Sequence, residues 1–166
     1  MTMPKRSKAS RTIETESDAR SYLFDLLARR DYPRAHLAQK LTQRECPPEV
    51  AAKVLDQFEA DGYLSDQRFV ESQVRQRFEQ GQGRRKIEFE LRQKGVSNQL
   101  IEEALGATDI EPKQVALDYY RRRYGETVAQ DQKERAKRMR HMAGRGFGFD
   151  EINHAMRYQL EDPEEF

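Results

Sequence analysis

The sequence predicts an all-α chain of three tandem three-helix repeats, helix-turn-helix-like, stacked into an elongated, curved arrangement. Three observations carry this reading. Apolar residues recur at helical spacing, the pattern returns after about 50 residues, and β-branched alternation of the kind a half-buried strand needs is absent.

The repeat is anchored on Leu41, Leu91 and Met142. Four positions earlier stand Leu37, Ile87 and Arg138; five later, Cys46, Val96 and Phe147. Ten later come Ala51, Ile101 and Ile152, then Val54, Ala104 and Ala155, then Leu55, Leu105 and Met156. Arg34, Arg84 and Arg135 share the position seven before the anchors. Within this frame only Arg138 replaces an apolar residue, and the third copy is the most diverged. Units this small bury little alone, so neighbours must pack on one another.

Each element follows in order. Residues 1–16 read as a disordered basic arm. A helix from about Ser17 to Arg30 turns Tyr22, Leu23, Leu26 and Leu27 inward, with Pro33 as its stop. Pro47-Pro48 suits the first turn of the helix bearing Val50, Ala51, Val54, Leu55 and Phe58 on one stripe. Repeat 2 opens at Ser65-Asp66, continues through Phe69, Val70, Val74 and Phe78, and ends near Gly81 and Gly83. Lys94-Gly95 stops its second helix and Ser97 caps the third. Repeat 3 starts near Pro112 with Val115, Ala116, Tyr119 and Tyr120 inward and stops at Gly125; its turn is Gly144–Gly148, and Asp150 opens the last helix. The expected boundaries are 1–16 arm, 17–62, 63–108 and 109–160 repeats, and 161–166 acidic tail.

Composition bounds the function. Charged residues are 36% of the chain against roughly 25% in ordinary globular proteins, which argues against one large core. No run approaches the roughly 18 apolar residues of a membrane span, and no apolar stretch follows the basic start as in a secretory leader. Cys46 is the single cysteine, so no internal disulfide or CxxC metal site is expected, and a cytoplasmic monomer is. A net charge of +1 conceals blocks: residues 45–66 balance to −5, 75–94 to +4, 121–145 to +6 and 150–166 to −5. Such blocks set local fields and point to a polyanionic partner.

Enzyme chemistry finds no support. His36, His141 and His154 form no metal-ligand spacing, and Gly81–Lys86 follows a helix without the order of a phosphate-binding loop. No cofactor is expected. The functional candidates are cations: Arg84, Arg85 and Lys86 at a helix start, where unpaired N–H groups add to their charge; Arg121 and Arg122 at a helix end; and Arg135, Arg138 and Arg145 in the second helix and turn of repeat 3. Arg138 stands out because packing does not account for it. Tyr119, Tyr120 and Tyr124 are candidates for base stacking or for core.

Three stretches carry a family resemblance: Gly62-Tyr63-Leu64-Ser65-Asp66-Gln67-Arg68-Phe69-Val70, Gly83-Arg84-Arg85-Lys86-Ile87, and Glu90-Leu91-Arg92-Gln93-Lys94-Gly95-Val96. Their order and spacing resemble the central signature of the bacterial RecX regulatory proteins, and Arg145-Gly146-Phe147 resembles a later element of that family. The resemblance covers about residues 17–160, with Pro47-Pro48 and the N-terminal arm as departures. It implies a protein that lodges in the RecA–DNA filament and depresses its ATPase, strand-exchange and co-protease activities. Single- and double-stranded DNA are implied as direct, sequence-independent ligands. Two other readings fit the residues: a sequence-specific helix-turn-helix regulator and a protein adaptor that does not touch DNA.

Overall fold

The computed structural model describes residues 11–157, which form nine α-helices and no strand. They are α1 (Glu16–Leu27), α2 (Arg34–Gln43), α3 (Pro48–Ala60), α4 (Asp66–Glu79), α5 (Arg84–Gln93), α6 (Asn98–Ala107), α7 (Pro112–Tyr124), α8 (Gln132–Gly144) and α9 (Phe149–Arg157). The chain divides into two compact units. One runs to Phe69 and includes Lys94–Val96; the other comprises Val70–Gln93 and the residues from Ser97 onward. The division runs through the second repeat, whose turn belongs to the first unit.

In the first unit Leu23, Leu37, Leu41, Val54, Leu55, Phe58 and Leu64 form the core, all within 2% of complete burial. Each such side chain contributes about 1.5–3 kcal/mol relative to exposure. Residues 1–10 of the expected disordered arm, and the acidic tail of 161–166, lie outside the described residues. Residues 11–15 correct that expectation. Ile13 is 4% exposed in the core, and its N–H donates to Arg44 O at 2.9 Å. Thr15 then caps α1, its Oγ1 accepting from the Asp18 N–H at 3.2 Å. One buried β-branched residue and a cap offset the ordering cost of this short stretch. Helix α1 ends at Leu27 and closes in a last turn to about Arg30, where the Arg29 N–H donates three residues back to Leu26 O, which also accepts from the Arg30 N–H.

Pro33 precedes α2 and offers no side-chain cap, so the helix start borrows one: Asp66 Oδ1 accepts from the Arg34 N–H at 2.7 Å. The Arg34 guanidinium bridges Asp56 and Glu59 of α3 at 2.8 and 2.7 Å. In the second unit Val70, Val74, Phe78, Ile87, Leu91, Ile101 and Leu105 are buried. A further cluster joins Ala116, Leu117 and Tyr120 of α7 to Met142, Phe147, Ile152, Ala155 and Met156. Ser97 caps α6 as expected, accepting from the Leu100 N–H at 3.3 Å.

The backbone repeats as the sequence does. Four residues after each anchor stands a residue at positive φ: Glu45 at 57°, Gly95 at 81° and Gly146 at 96°. The two glycines meet the preceding repeat closely. A Cβ on Gly95 would come within 2.6 Å of Ala35 Cβ, and one on Gly146 within 2.5 Å of Lys86 Cβ. Both seats lie in the first turn of the preceding repeat's second helix, 60 residues upstream. In repeat 1 Glu stands at this position in place of Gly.

Gly95→Ala and Gly146→Ala should therefore each cost about 2–4 kcal/mol in denaturant unfolding, from left-handed backbone and overpacking together. Glu45→Gly should stabilise by up to about 1 kcal/mol, and Gly106→Ala, within α6 and facing open space, by about 0.5–1 kcal/mol. Equal effects at Gly106 and Gly146 would show that no close seat exists.

Candidate functional site

The expected cations gather unevenly within the second unit. At its centre the Gly81–Gly83 loop clasps the Gly144–Gly148 turn. The Gly83 N–H donates to Arg145 O at 2.8 Å and the Arg85 N–H to Gly146 O at 3.2 Å. A Cβ on Gly83 would lie 2.3 Å from Gly146 C, so only glycine allows this backbone approach. The clasp corrects the expectation of an anion site built from free N–H groups at the start of α5. Two of those groups already serve carbonyls of repeat 3, and the side chains are left to supply the field.

Around the clasp, Arg84 Nε lies 2.8 Å from Glu88 Oε1, and Lys86 Nζ 3.9 Å from Glu90 Oε1, a carboxylate that also pairs with Arg77. Arg85 is exposed, and among the described residues its side chain has no hydrogen-bond or ion-pair partner. Arg145 is held: Nη2 donates to Gln80 O at 2.8 Å, Nε to Gly81 O at 3.3 Å, and the guanidinium lies 4.8 Å from the Tyr119 ring centroid. Arg122 reaches the same loop, its Nη2 3.1 Å from where a Gly81 Cβ would stand. Arg121 and Arg122 are exposed in the last turn of α7, where the helix dipole also favours them. Arg135 stands apart, half-buried beside Tyr120, Gln130 and Met156 at a cavity of about 310 Å³.

Arg138 is a correction. It is 5% exposed at the position of Leu37 and Ile87, and packing does account for it. Nη1 donates to Tyr120 Oη at 2.9 Å and Thr127 O at 2.7 Å, and Nη2 to Thr127 Oγ1 at 3.2 Å and Glu134 Oε1 at 2.8 Å. The cation also lies 4.5 Å from the Tyr124 ring centroid. Burial works against its charge, but the bonds to Tyr120 and Glu134 outweigh it and its pKa is raised. The group pins the loop after α7 to α8 and is closed to a ligand.

The tyrosines resolve toward core as well. Tyr120 is 1% exposed, Tyr124 packs on it at 4.9 Å between centroids, and Tyr119 stacks on His141 at 5.8 Å. The aromatics that do face solvent in the second unit are others. Phe89 is 59% and Phe149 65% exposed, whereas Phe58, Phe69, Phe78 and Phe147 are at most 4%. Sequence reasoning passed over both. For Phe89 the signal was its place on α5 opposite Ile87 and Leu91. The described residues contain no cluster of His, Cys, Asp and Glu suited to a metal ion and no helix long and apolar enough to cross a membrane.

The fold and this surface together define a class: a helical protein of three tandem three-helix domains with a cationic, aromatic-bearing second unit. Comparison with known proteins is specific. Family profiles described as the first, second and third three-helix domains of RecX match residues 19–58, 65–105 and 110–156. Regulatory protein RecX of Chromohalobacter salexigens is 38% identical over 147 residues, covering 89% of this chain and 96% of the relative. That of Halorhodospira halophila is 36% identical over 158 residues, covering 95% and 96%. The crystal structure of RecX from Lactobacillus salivarius shares the fold at a TM-score of 0.74 and 17% identity, covering 87% of this chain and 96% of that one. The chain belongs to the RecX family of regulatory proteins.

Two outcomes follow from the site. Arg138→Ala should lower stability by about 2–4 kcal/mol by thermal or chemical denaturation. A variant of unchanged stability would return Arg138 to the binding candidates. The second concerns His141, whose Nε2 lies 2.7 Å from Tyr119 Oη. Burial, then Arg123 and Arg145, lower its pKa from the ordinary 6.5. The unfolded chain thus binds the proton more readily, so this contribution is full above about pH 6.5 and is lost as pH falls through the depressed folded value. His36, lowered by burial and by Lys40, Arg30 and Lys94, acts in the same direction. His141→Gln should flatten the fall in stability between neutral and mildly acidic pH. An unaltered slope would remove His141 as a contributor.

Proposed function

We propose that this RecX-family protein is a cytoplasmic, monomeric regulator of the RecA recombinase. It binds the RecA–DNA filament and lowers its ATPase, strand-exchange and co-protease activities, and so modulates recombination, repair and the SOS response. It also binds single- and double-stranded DNA weakly and without sequence preference. The observation that carries this reading is family membership along nearly the whole chain, joined to the exposed cations beside the clasp. Arg84, Arg85, Lys86, Arg121, Arg122 and Arg135 are the residues proposed to meet the filament or its DNA. Arg145 helps to hold the loop that presents the first three.

A polyanion neutralised by several such side chains releases counterions, so DNA binding should weaken steeply with salt and be blind to sequence. Substoichiometric protein added to an active RecA–single-stranded DNA filament should slow ATP hydrolysis. No effect at equimolar protein with the matching recombinase would count against the assignment. Changing Arg84, Arg85 and Lys86 together to Glu should weaken DNA or filament association at least about tenfold without unfolding the protein, although the lost pairs to Glu88 and Glu90 will lower its thermal stability somewhat. Marked preference for one duplex sequence would instead favour a helix-turn-helix transcription regulator.

A further inference from the structure

We infer that the exposed Phe89 and Phe149, together with Arg85, form a base-stacking platform that makes the second unit selective for single-stranded over duplex nucleic acid. The inference rests on the proposed nucleic-acid binding of this surface and adds residues and strand preference to it.

The geometry is local and consistent. On α5, Arg85 and Phe89 are one turn apart and lie opposite the buried Ile87 and Leu91. The Arg85 guanidinium also extends to the turn of repeat 3: its Nη2 is 3.9 Å from where a Gly148 Cβ would stand. Phe149 is the next residue. A cation with no hydrogen-bond or ion-pair partner among the described residues thus shares the face of α5 that carries Phe89 and reaches the turn that Phe149 follows, and these two phenylalanines are 59% and 65% exposed.

Charge selects the occupant. Both acids of α5 are engaged, Glu88 by Arg84 and Arg92 and Glu90 by Arg77 and Lys86. On the α9 side Asp150 and Glu151 follow Phe149, and the Glu151 carboxylate accepts from the Gly148 N–H. The unspent charge of Arg85 favours an anionic group on the α5 side, with apolar, flat groups against the two phenylalanines. A phosphate flanked by unstacked bases meets both demands. Duplex DNA meets only the first, because its base faces are already stacked on one another and its grooves offer edges. Stacking also tolerates any base, which agrees with sequence-blind binding.

The chain contains no tryptophan, so Phe89→Trp provides a single fluorophore at the site. Titration of that variant with a single-stranded oligothymidylate of about 16 nucleotides should quench its emission to saturation, and a hairpin duplex should not. Phe89→Ala and Phe149→Ala, both at exposed positions, should each raise the single-strand Kd about 5-fold or more. Duplex affinity and the salt slope should stay as in wild type. Equal quenching by duplex, or alanine variants with wild-type single-strand Kd, would overturn the inference. So would alanine variants that lose only recombinase-filament binding, since the patch would then be a protein anchor. If charge reversal at Arg84, Arg85 and Lys86 weakens DNA binding while the phenylalanine variants do not, the platform falls and the proposed function stands. If charge reversal leaves affinity for both strand forms intact, direct DNA binding at this surface falls with it.

Discussion

The close seating of each repeat's turn on the helix start of the repeat before it is the contact on which the rest depends. Helices of ten residues such as α2, α5 and α6 are too short to be stable in isolation. Their N-terminal N–H groups also need acceptors. The seat answers both needs at once. In the first unit Gly95 lies against Ala35 while Asp66 caps α2. In the second, Gly146 lies against Lys86 while Arg145 and Gly146 supply carbonyls to the start of α5. The glycine serves twice, through its positive φ and through its missing Cβ.

That contact also sorts the charged residues. A chain with 36% charged side chains offers many apparent binding sites, most of them structural. Arg34 ties α2 to α3 through Asp56 and Glu59. Arg145 locks the clasp, and Arg138 fills a core position whose apolar counterparts are Leu37 and Ile87. Each of these cations is held by carbonyls, hydroxyls or carboxylates, with the buried Arg138 Nε left without a hydrogen-bond partner. Around the clasp, what faces solvent is the side chains at the start of α5, the end of α7, and Phe89 and Phe149.

Much of the candidate site could be read from residue order, and its failures share one cause. The cluster at Arg84–Lys86 was visible as a charge run after two glycines. Its supposed free helix start was not, because the carbonyls that fill it come from more than 60 residues downstream. Arg138 looked unexplained by packing because its partners Tyr120, Thr127 and Glu134 come from the end of α7, the following loop and its own helix, and only folding converges them. The tyrosines near Arg121–Arg123 looked available for stacking by proximity in sequence, yet one helical turn decides which side faces Met142 and Phe147.

Sequence alone determined the local and periodic features: the helices, their proline and serine starts, the three copies and the glycine stops. These follow from side-chain period and from backbone preferences acting over a few residues. The triplication even marked Arg138 as the exception in its column. Only the tertiary structure decided which cations are spent and which are presented, and that Ile13 belongs to the core. Those outcomes depend on contacts between residues distant in the chain, where a single missing Cβ or one converging carbonyl changes a charge from exposed to enclosed.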